Sequence, residues 1–393
     1  MGFPFINRRS LLKYASVSGI ASLATACLAQ TQPTTTQATA SPAAGEAATQ
    51  RPAAQQQPTV TLKWQSTFGT ADFFHQTLIQ IAKKVEEMSF GRIKVDVLVT
   101  GAVVGAFQAQ DAVHSGTLDG ALGVPVYWFG KDRAMSLFGT GPGMGLTADD
   151  FLAWMWYEGG EQEYDKLIQE KLKLNVKSFW FGPMPTQPFG WFKKPLRGLD
   201  DAKGLKFRTV GLSIDTYQLL GMSVVALPGG EVVPGIEKGV IDAAEFNNMT
   251  SDLVLGFTDV AKNYYVQSYH QDHEFLELLV NKKKLDDLPA DLQRTIRYAV
   301  MAQSADNTWQ HINKNSKDLI EIVKRGVTVQ KTPQAILDAQ LANWEKIVEK
   351  ESKENPDFDR IFKLQRAYAE RVGAWRHLIM ADYEKAYRTF FRK

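Results

Sequence analysis

The sequence predicts an α/β fold built as two related lobes, with a largely parallel sheet. From residue 60 to residue 245, short runs typical of strands alternate with segments that have the apolar spacing of helices. Alternation at this spacing indicates crossover connections, which join parallel strands. Beyond Lys284 the pattern is mainly helical, so helices are expected to complete the fold.

A short internal repeat supports two lobes around one cleft. Residues 114–121 (HSGTLDGA) and 237–244 (EKGVIDAA) both place glycine after a helix end and aspartate three residues later, followed by small residues. Glycine suits a helix C-terminus because it tolerates positive φ. Chance alone also produces matches of this length. On the structural interpretation, each repeat ends a strand at the cleft, where open parallel sheets bind their ligands.

Each helix or strand is predicted from the spacing of its apolar residues, from a helix-capping residue or from a residue that ends regular structure. The first helix carries Phe74, Leu78, Ile81 and Val85 at helical spacing, and Thr147 is a favoured N-cap for a later helix. The expected strands are residues 60–66, 91–100, 119–124, 175–181, 189–192, 205–209, 223–227 and 328–330. The expected helices are residues 71–88, 107–115, 147–171, 213–220, 229–238, 288–324, 333–351 and 358–391.

Composition excludes several classes of function. The 393 residues carry a formal net charge of +2, so neither nucleic acid nor an anionic membrane surface is indicated as a partner. Hydrophobic residues make up 44% of the chain and aromatic residues 11%, which suffices for large cores and for pockets lined by rings. Cys27 is the single cysteine, so an intrachain disulfide and a zinc–thiolate site are excluded.

Residues 1–26 have the pattern of a signal peptide. Arg8 and Arg9 form a twin-arginine motif, and the weakly apolar run after them is too short for an ordinary membrane-spanning helix. Cys27 follows the residues LATA, which resemble a lipoprotein cleavage site; cleavage without lipidation is the alternative. Residues 27–58 are rich in Thr, Gln, Ala, Pro and Ser and are expected to form a disordered tether. A tether directly after a cysteine favours the lipid-anchored form.

Two motifs are interpreted as structural. Residues 139–145 read GTGPGMG without the Lys-Ser/Thr of a P-loop or the dinucleotide glycine spacing, so they predict a flexible loop. His270 and His273, with Asp272, suit a metal site only on a helix or tight turn. Their segment leads into a strand, so satisfied or exposed histidines are favoured. The sequence has no nucleophile elbow and no metalloprotease helix motif, and no catalytic activity is predicted.

Arg208 is the main candidate for holding an anion. It ends the short strand in KGLKFRTV (residues 203–210), and its guanidinium offers a fork that matches a carboxylate. Lys206 lies on the same strand face, so spacing alone favours a solvated edge as the interpretation. Glu245, which follows the second repeat, is likewise interpreted from spacing alone as a surface carboxylate.

Four stretches resemble the extracytoplasmic solute-binding subunits of TRAP (tripartite ATP-independent periplasmic) transporters. The resemblance extends from about Val60 to the C-terminus, and its nearest branch binds 2-oxo acids and related hydroxy acids with a metal ion. The stretches are VYWFGKD (126–132), FGWF (189–192), GLKFR (204–208) and EKGVIDAAE (237–245).

The resemblance implies a two-lobed clamp of the periplasmic-binding-protein type, with interleaved lobes, hinge strands and C-terminal helices. The C-terminal helices carry a large aromatic load and are expected to form a homodimer. The implied divisions are residues 59–185 plus 264–310 for lobe I, 186–263 plus 311–330 for lobe II, and 331–393 for the C-terminal helices.

The resemblance also implies roles for seven residues. Arg208 pairs with the ligand carboxylate, and Gln187, Glu245 and the backbone of Phe246 hold a metal ion, Na⁺ or Ca²⁺. The branch usually has tryptophan where Phe246 stands. The implied substrate contacts, besides Arg208 and Gln187, are the aromatic residues Tyr127, Trp128 and Tyr269.

The implied function is transport. The protein would capture a small organic acid, a 2-oxo or 2-hydroxy monocarboxylate, outside the cytoplasm and deliver it to membrane permease subunits. A periplasmic enzyme on the same scaffold is one alternative, which turnover of the bound acid would reveal. A sensor that presents the ligand to a receptor is another, and adjacent permease genes would argue against it.

Overall fold

The computed structural model describes residues 59–391. The predicted signal peptide and the tether that begins at Cys27 lie outside the described residues. Within them, no helix is long and apolar enough to cross a membrane. The strands are β1 Val60–Ser66, β2 Ile93–Leu98, β3 Gly120–Gly123, β4 Val176–Met184, β5 Gly190–Phe192, β6 Lys206–Arg208, β7 Ser223–Val225, β8 Ala243–Ala244, β9 Asn263–Tyr265, β10 Glu274–Asn281 and β11 Thr328–Gln330.

Helices cover both sheets and continue to the end of the described chain. Short 3₁₀ turns stand at Ala106–Gln108, Pro125–Trp128 and Arg133–Phe138, and a π-helical turn at Lys166–Lys171. The α-helices are α1 Phe73–Met88, α2 Ala109–Ser115, α3 Ala148–Tyr157, α4 Gly160–Asp165, α5 Leu199–Ala202, α6 Ser213–Leu219, α7 Gly229–Glu237, α8 Met249–Leu255, α9 Phe257–Val260, α10 Lys282–Asp286, α11 Ala290–Lys324, α12 Gln334–Glu354, α13 Pro356–Ile379 and α14 Tyr383–Phe391.

The strands form two sheets, which define the first and the second lobe. The first sheet has the order β2-β1-β3-β10-β4, and the second has the order β11-β9-β5-β8-β6-β7. The prediction of a two-lobed α/β fold is therefore confirmed. The chain passes between the sheets after β4, between β9 and β10 and again between β10 and β11, so each lobe is built from separate segments.

The prediction of a largely parallel sheet is wrong, because both sheets are mixed. β1 pairs in parallel with β2 and β3, whereas β10 runs antiparallel to β3 and β4. In the second sheet, β6 is parallel to β7 and β8, whereas β5 is antiparallel to β8 and β9. β5, β10 and β11 each directly follow a passage between lobes, so no helical crossover within their own sheet sets their direction; β5 and β10 are antiparallel to their neighbours, whereas β11 is parallel to β9.

Two long predicted helices are each divided. The helix expected over residues 147–171 is interrupted at Gly159, whose φ of 90° is left-handed, and it resumes as α4 and the π-helical turn. The C-terminal helix expected over residues 358–391 is divided into α13 and α14, because Met380 takes an extended conformation.

The long helix α11 joins the two lobes. It packs on α1 and β4 of the first lobe and on α8 of the second. Asn307 Oδ1 is 3.3 Å from the hydroxyl of Thr77 in α1, and two turns later Asn315 Oδ1 accepts from Thr250 N at 2.9 Å in α8. One helix thereby fixes both lobes while leaving the strand ends between them free to form a site.

The predicted lobe boundary between residues 263 and 264 falls inside strand β9. β9 pairs with β5 and β11 along its whole length, so it belongs to the second sheet, and a boundary between residues 263 and 264 would divide it. The remaining residue assignments to lobes stay a prediction.

Candidate ligand-binding site

Arg208 is buried in the interior of the second sheet. β6 lies between β7 and β8, and Arg208 is opposite Val225 on one side and Ala244 on the other. Its side chain is 1% exposed, whereas Lys206 two residues earlier is exposed. The solvated interpretation that spacing favoured is therefore wrong for Arg208, because the sheet continues on both sides of its strand and covers it.

The guanidinium of Arg208 is held from one side only. Nε donates to the carbonyl of Leu227 at 2.8 Å, and Nη1 donates to Glu245 at two points, Oε1 at 2.8 Å and the backbone carbonyl at 3.1 Å. Among the described residues, Nη2 donates to no protein acceptor. The arginine is fixed in place and retains a donor group for a bound anion.

Glu245 and Gln187 each present a buried oxygen that lacks a hydrogen bond. Glu245 is 1% exposed and Gln187 is 2% exposed. Within the described part of the chain, Gln187 Oε1 has no hydrogen-bond partner and Glu245 Oε2 has none of good geometry, although the neighbouring Thr209 side chain lowers the pKa of Glu245. Burial raises the pKa of Glu245, and the charge of Arg208 partly offsets that rise. Buried polar atoms are ordinarily paired, so these two oxygens indicate a missing partner.

Close backbone approach brings the loop of Gln187 to Glu245. A Cβ at Gly190, just after that loop, would lie 2.6 Å from the carbonyl oxygen of Ala244 and 3.2 Å from the nitrogen of Glu245. Gly190 also has φ 139°, which L side chains rarely adopt. Glycine is therefore required where this loop passes the strand end.

Phe246 lies against the same arginine. Its ring centroid is 5.7 Å from Arg208 Cζ, and the ring is 7% exposed. A Cβ at Gly229 would come within 2.3 Å of the ring, so a larger residue there would displace it. We call Arg208, Glu245, Gln187 and Phe246 the Arg208 cluster; the structure brings Arg208, Glu245 and Phe246 into contact, and Gln187 lies on the loop that leads to Gly190.

The three remaining predicted contacts differ in position. Tyr127 is half-buried against Phe107, with ring centroids 4.9 Å apart, and burial raises its pKa while the charge of Arg208 opposes the rise. Trp128 is 1% exposed and donates its indole N–H to Glu277 at 2.6 Å. Tyr269 is 39% exposed. The structure thus brings Tyr127 towards the cluster, places Trp128 in the first core and leaves Tyr269 at the surface.

The motifs interpreted as structural are packed beside the site. Residues 139–145 form a loop, as predicted; residues 139–143 are buried, and a Cβ at Gly143 would overlap the carboxylate of Asp272. His270 shares a 2.5 Å hydrogen bond with Ser268, and His273 stacks on Phe151 with centroids 3.8 Å apart. The described residues contain no group of three or more His, Cys, Asp or Glu suited to a metal ion.

Sequence reasoning missed the polar residues that β10 brings to the site. Glu274 is 3% exposed, and its pKa is raised well above the usual value by burial and then by Glu245, with Arg208 opposing. The segment before it was read as an approach to a strand, and β10 itself is buried at all eight positions. The available signal is a pair of glutamates, Glu274 and Glu277, within an otherwise apolar segment.

The geometry defines a ligand-binding protein of the two-lobed type. Arg208 and its partners come from the second lobe, whereas Tyr127 and Glu274 come from the first, and the charge of Arg208 acts on the pKa of both. The lobes also touch directly, since Leu212 N donates to the hydroxyl of Thr140 at 3.0 Å. A small anion held at Arg208 would therefore contact both lobes.

Comparison with known proteins identifies the family. Residues 66–354 match the sequence model of the DctP family, which is described as bacterial extracellular solute-binding protein, family 7. The chain is 30% identical over 325 residues to a monocarboxylate 2-oxoacid-binding periplasmic protein of Nostoc sp., covering 83% of this chain and 87% of that protein. The chain belongs to this family and is a solute-binding protein of the TRAP transporter type, a class that is periplasmic.

Solved structures agree with this assignment. A TRAP solute-binding protein from Bordetella bronchiseptica, a dimer with calcium and picolinate bound, superimposes with a TM-score of 0.79 at 26% identity, covering 85% of this chain and 97% of that one. Proteins from Colwellia psychrerythraea, with calcium and pyruvate, and Pseudoalteromonas atlantica, with sodium and pyruvate, each superimpose with a TM-score of 0.77 at 28% identity, covering 84% of this chain and 98% of theirs.

Proposed function

We propose that this protein captures a 2-oxo or 2-hydroxy monocarboxylate together with a metal ion and delivers it to TRAP permease subunits. The observation that carries the proposal is the Arg208 cluster. There, a buried guanidinium with an unused Nη2 accompanies two buried oxygens, Gln187 Oε1 and Glu245 Oε2, that have no hydrogen-bond partner of good geometry among the described residues.

The similar proteins support the ligand class. The Nostoc relative is described as binding monocarboxylate 2-oxoacids, and the structures from Colwellia and Pseudoalteromonas hold pyruvate with calcium or sodium. Picolinate, held with calcium in the Bordetella protein, is also a monocarboxylate with a second donor atom adjacent to its carboxylate-bearing carbon. We therefore assign this chain a ligand that offers a carboxylate and a neighbouring donor atom.

The residues of the Arg208 cluster fit a hard cation. Such ions take oxygen ligands, and the unpaired oxygens of Gln187 and Glu245 are of this kind, with the backbone carbonyl of Phe246 as the third proposed ligand. When bound, the cation, Na⁺ or Ca²⁺, supplies a positive charge that attracts the ligand carboxylate and its C2 oxygen. Arg208 contributes the N–H groups of Nη2, which its hydrogen bonds to Leu227 and Glu245 hold in a fixed direction for the carboxylate.

Charge balance explains why anion and cation bind together. Arg208 and Glu245 already form a buried ion pair with N–O distance 2.8 Å. An added carboxylate alone would leave one uncompensated negative charge in a buried site, and an added cation alone would leave one positive charge for Na⁺ or two for Ca²⁺. Isolated buried charges are costly, so each ion favours the binding of the other.

A calorimetric titration tests the role of Arg208. Arg208→Lys keeps the positive charge but removes the guanidinium that is anchored at Leu227 and Glu245 and directs Nη2 to the ligand, so the affinity for pyruvate is expected to fall at least tenfold. The exposed Lys206 offers a matched control, because Lys206→Arg should leave affinity unchanged. Equal affinities of wild type and Arg208→Lys would remove Arg208 from the proposed site.

Lobe closure accompanies binding in this proposal. Tyr127 of the first lobe and Arg208 of the second would contact the same ligand, which shifts the population towards the closed form. We assign Trp128 a supporting role only, since its indole N–H is engaged by Glu277. Tyr269 remains a proposed contact, and its 39% exposure argues for a position at the rim.

We propose export by the twin-arginine route and lipid attachment at Cys27, on the support of the sequence pattern alone. Replacing Arg8 and Arg9 with Lys should retain the protein in the cytoplasm. Cys27→Ser should abolish labelling by a fatty acid while leaving export intact. Export of the double Lys variant would contradict the twin-arginine route. A wild-type protein that is not labelled by the fatty acid would contradict lipid attachment at Cys27.

We propose a homodimer through the C-terminal helices. The end of the chain presents a large exposed apolar surface, and the similar Bordetella structure is described as a dimer. Light scattering should give the mass of two chains, and replacing the exposed rings with Ser should give one. The exposed residues are Trp375, Leu378, Ile379, Tyr383, Tyr387, Phe390 and Phe391.

A further inference from the structure

The start of β10 and the turn before it hold two buried acceptor oxygens that have no partner among the described residues. Glu274 is 3% exposed and Gln271 is 1% exposed. Gln271 Nε2 donates to Glu274 Oε2, which leaves Gln271 Oε1 and Glu274 Oε1 without a hydrogen bond among the described residues. Each buried, unpaired polar atom costs about 1–3 kcal/mol, so two on linked side chains indicate a partner that completes them.

This pair of side chains adjoins the Arg208 cluster. The backbone nitrogen of Gln187 donates to the carbonyl of Gln271 at 3.0 Å. A Cβ at Gly139 would lie 3.1 Å from Glu274 Oε1, so glycine at this position leaves room beside the carboxyl group. The pair is thus contiguous with the cluster, and it comes from the opposite lobe.

We propose that Glu274 and Gln271 bind a hydroxyl group of the captured acid, on a carbon beyond C2. The inference rests on the proposed function, in which Arg208 and the cation engage the carboxylate and the C2 oxygen. A ligand hydroxyl that donates to the side chains at the start of β10 must then be on a carbon beyond C2. The ligand class is a short hydroxylated monocarboxylate, such as 3-hydroxypyruvate or glycerate.

A hydroxyl group suits this environment better than an ammonium group. A hydroxyl both donates and accepts, so it can donate to Gln271 Oε1 while it accepts the proton of an uncharged Glu274 carboxyl. Burial and the charge of Glu245 raise the pKa of Glu274 well above its usual value, which favours the uncharged form. An ammonium ion would gain little from an uncharged carboxyl and would be repelled by Arg208.

Paired ligands test the proposal on the wild-type protein. The pairs are 3-hydroxypyruvate with pyruvate and glycerate with lactate, each pair differing by one hydroxyl at C3. With the same cation present, calorimetry should show the hydroxylated acid binding at least tenfold more tightly in one pair or both. Equal affinities within both pairs would overturn this inference, whereas no binding of any of the four acids would overturn the proposed function itself.

Variants assign the preference to Glu274. Glu274→Leu should bring the ratio within each pair close to one while changing pyruvate affinity less than threefold, and Glu274→Gln should retain most of the ratio. Glu277→Gln is the matched control on the same strand, because Glu277 already has its partners in the core. Equal loss of both members of a pair in Glu274→Leu would show a merely structural role. Should Glu274→Leu fail to fold, Glu274→Ala provides the same measurement, and an undiminished ratio in that variant would overturn the assignment to Glu274.

Discussion

Two buried carboxylates on one strand, Glu277 and Glu274, differ in whether the protein completes their hydrogen bonds. Glu277 accepts from Trp128 at 2.6 Å and Tyr164 at 3.1 Å on one oxygen, and from Ser178 at 2.7 Å on the other. Glu274 receives a hydrogen bond from Gln271 on one oxygen, and its other oxygen has no partner among the described residues.

The difference separates structural from ligand-binding polar clusters. All three donors around Glu277 come from the first lobe, so the cluster is complete whether or not a ligand is bound. The Arg208 cluster and the Gln271–Glu274 pair meet between the lobes, and several of their atoms lack protein partners. A satisfied network stabilises the fold, whereas an unsatisfied buried one is reserved for a ligand.

The largest expected effect is a loss of folding stability when Glu277, whose hydrogen bonds are complete, is replaced. Glu277→Leu would leave the donors of Trp128, Tyr164 and Ser178 buried without an acceptor, so the free energy of unfolding should fall by about 3 kcal/mol or more. Urea denaturation monitored by tryptophan fluorescence measures the change. Ligand selectivity in the folded fraction should be unaltered, and a stability equal to that of wild type would mean that the network contributes nothing.

A second prediction uses the ionisation of the same residue. Burial raises the pKa of Glu277 from 4.5 to about 7, with the hydrogen bonds from Ser178, Trp128 and Tyr164 opposing. A carboxyl with a raised folded-state pKa binds its proton more tightly than in the unfolded chain, so its contribution is present at low pH and is lost as pH rises from about 4.5 through 7.

Glu277→Gln should remove that part of the pH dependence. Between pH 5 and pH 8 the wild type should lose up to about 3 kcal/mol of unfolding free energy relative to the variant. Denaturation curves of both proteins at the two pH values provide the measurement. Parallel pH profiles for wild type and variant would contradict the raised pKa.

The smallest expected effect concerns the contact between lobes. Arg133, in the first lobe, pairs with Asp215 of α6 at 2.7 Å and with Glu351 of α12 at 2.8 Å. The Arg133 side chain is 35% exposed, so the ion pairs are partly screened and should contribute about 1 kcal/mol to the closed form. Arg133→Gln should weaken ligand binding about threefold to fivefold, and more so at low salt. A salt-independent affinity equal to that of wild type would show that these pairs do not favour closure.

The sequence predicts the elements better than their arrangement. Helix α11 was expected at residues 288–324 and lies at Ala290–Lys324, because its cap region and periodicity are local properties. A strand is expected after His273, but the bounds of β10 are not predictable because a strand buried on both faces has no alternation of polar and apolar residues. The antiparallel direction of β5 and β10 depends on passages between lobes, which no local pattern records.

The site residues are predicted from the family resemblance, because the spacing of residues alone does not show which side chains are buried. The spacing of Lys206 and Arg208 favours a solvated edge, and the burial of Arg208 depends on β7 and β8, which lie elsewhere in the sequence. Tyr127 and Trp128 are adjacent in the chain, yet the second directs its polar atom into the core. Adjacent aromatic residues look alike in a sequence, and only the packing of the 3₁₀ turn distinguishes them.

The central claim is that the Arg208 cluster binds a carboxylate and a cation as one unit. The direct test is calorimetric titration of pyruvate into protein freed of bound ligand and ions, in sodium-free buffer with chelator and again with added Na⁺ or Ca²⁺. The account predicts at least tenfold tighter binding with one of these cations, and Glu245→Gln should abolish that gain. Affinity that is indifferent both to the chelator and to the removal of Na⁺ would contradict it.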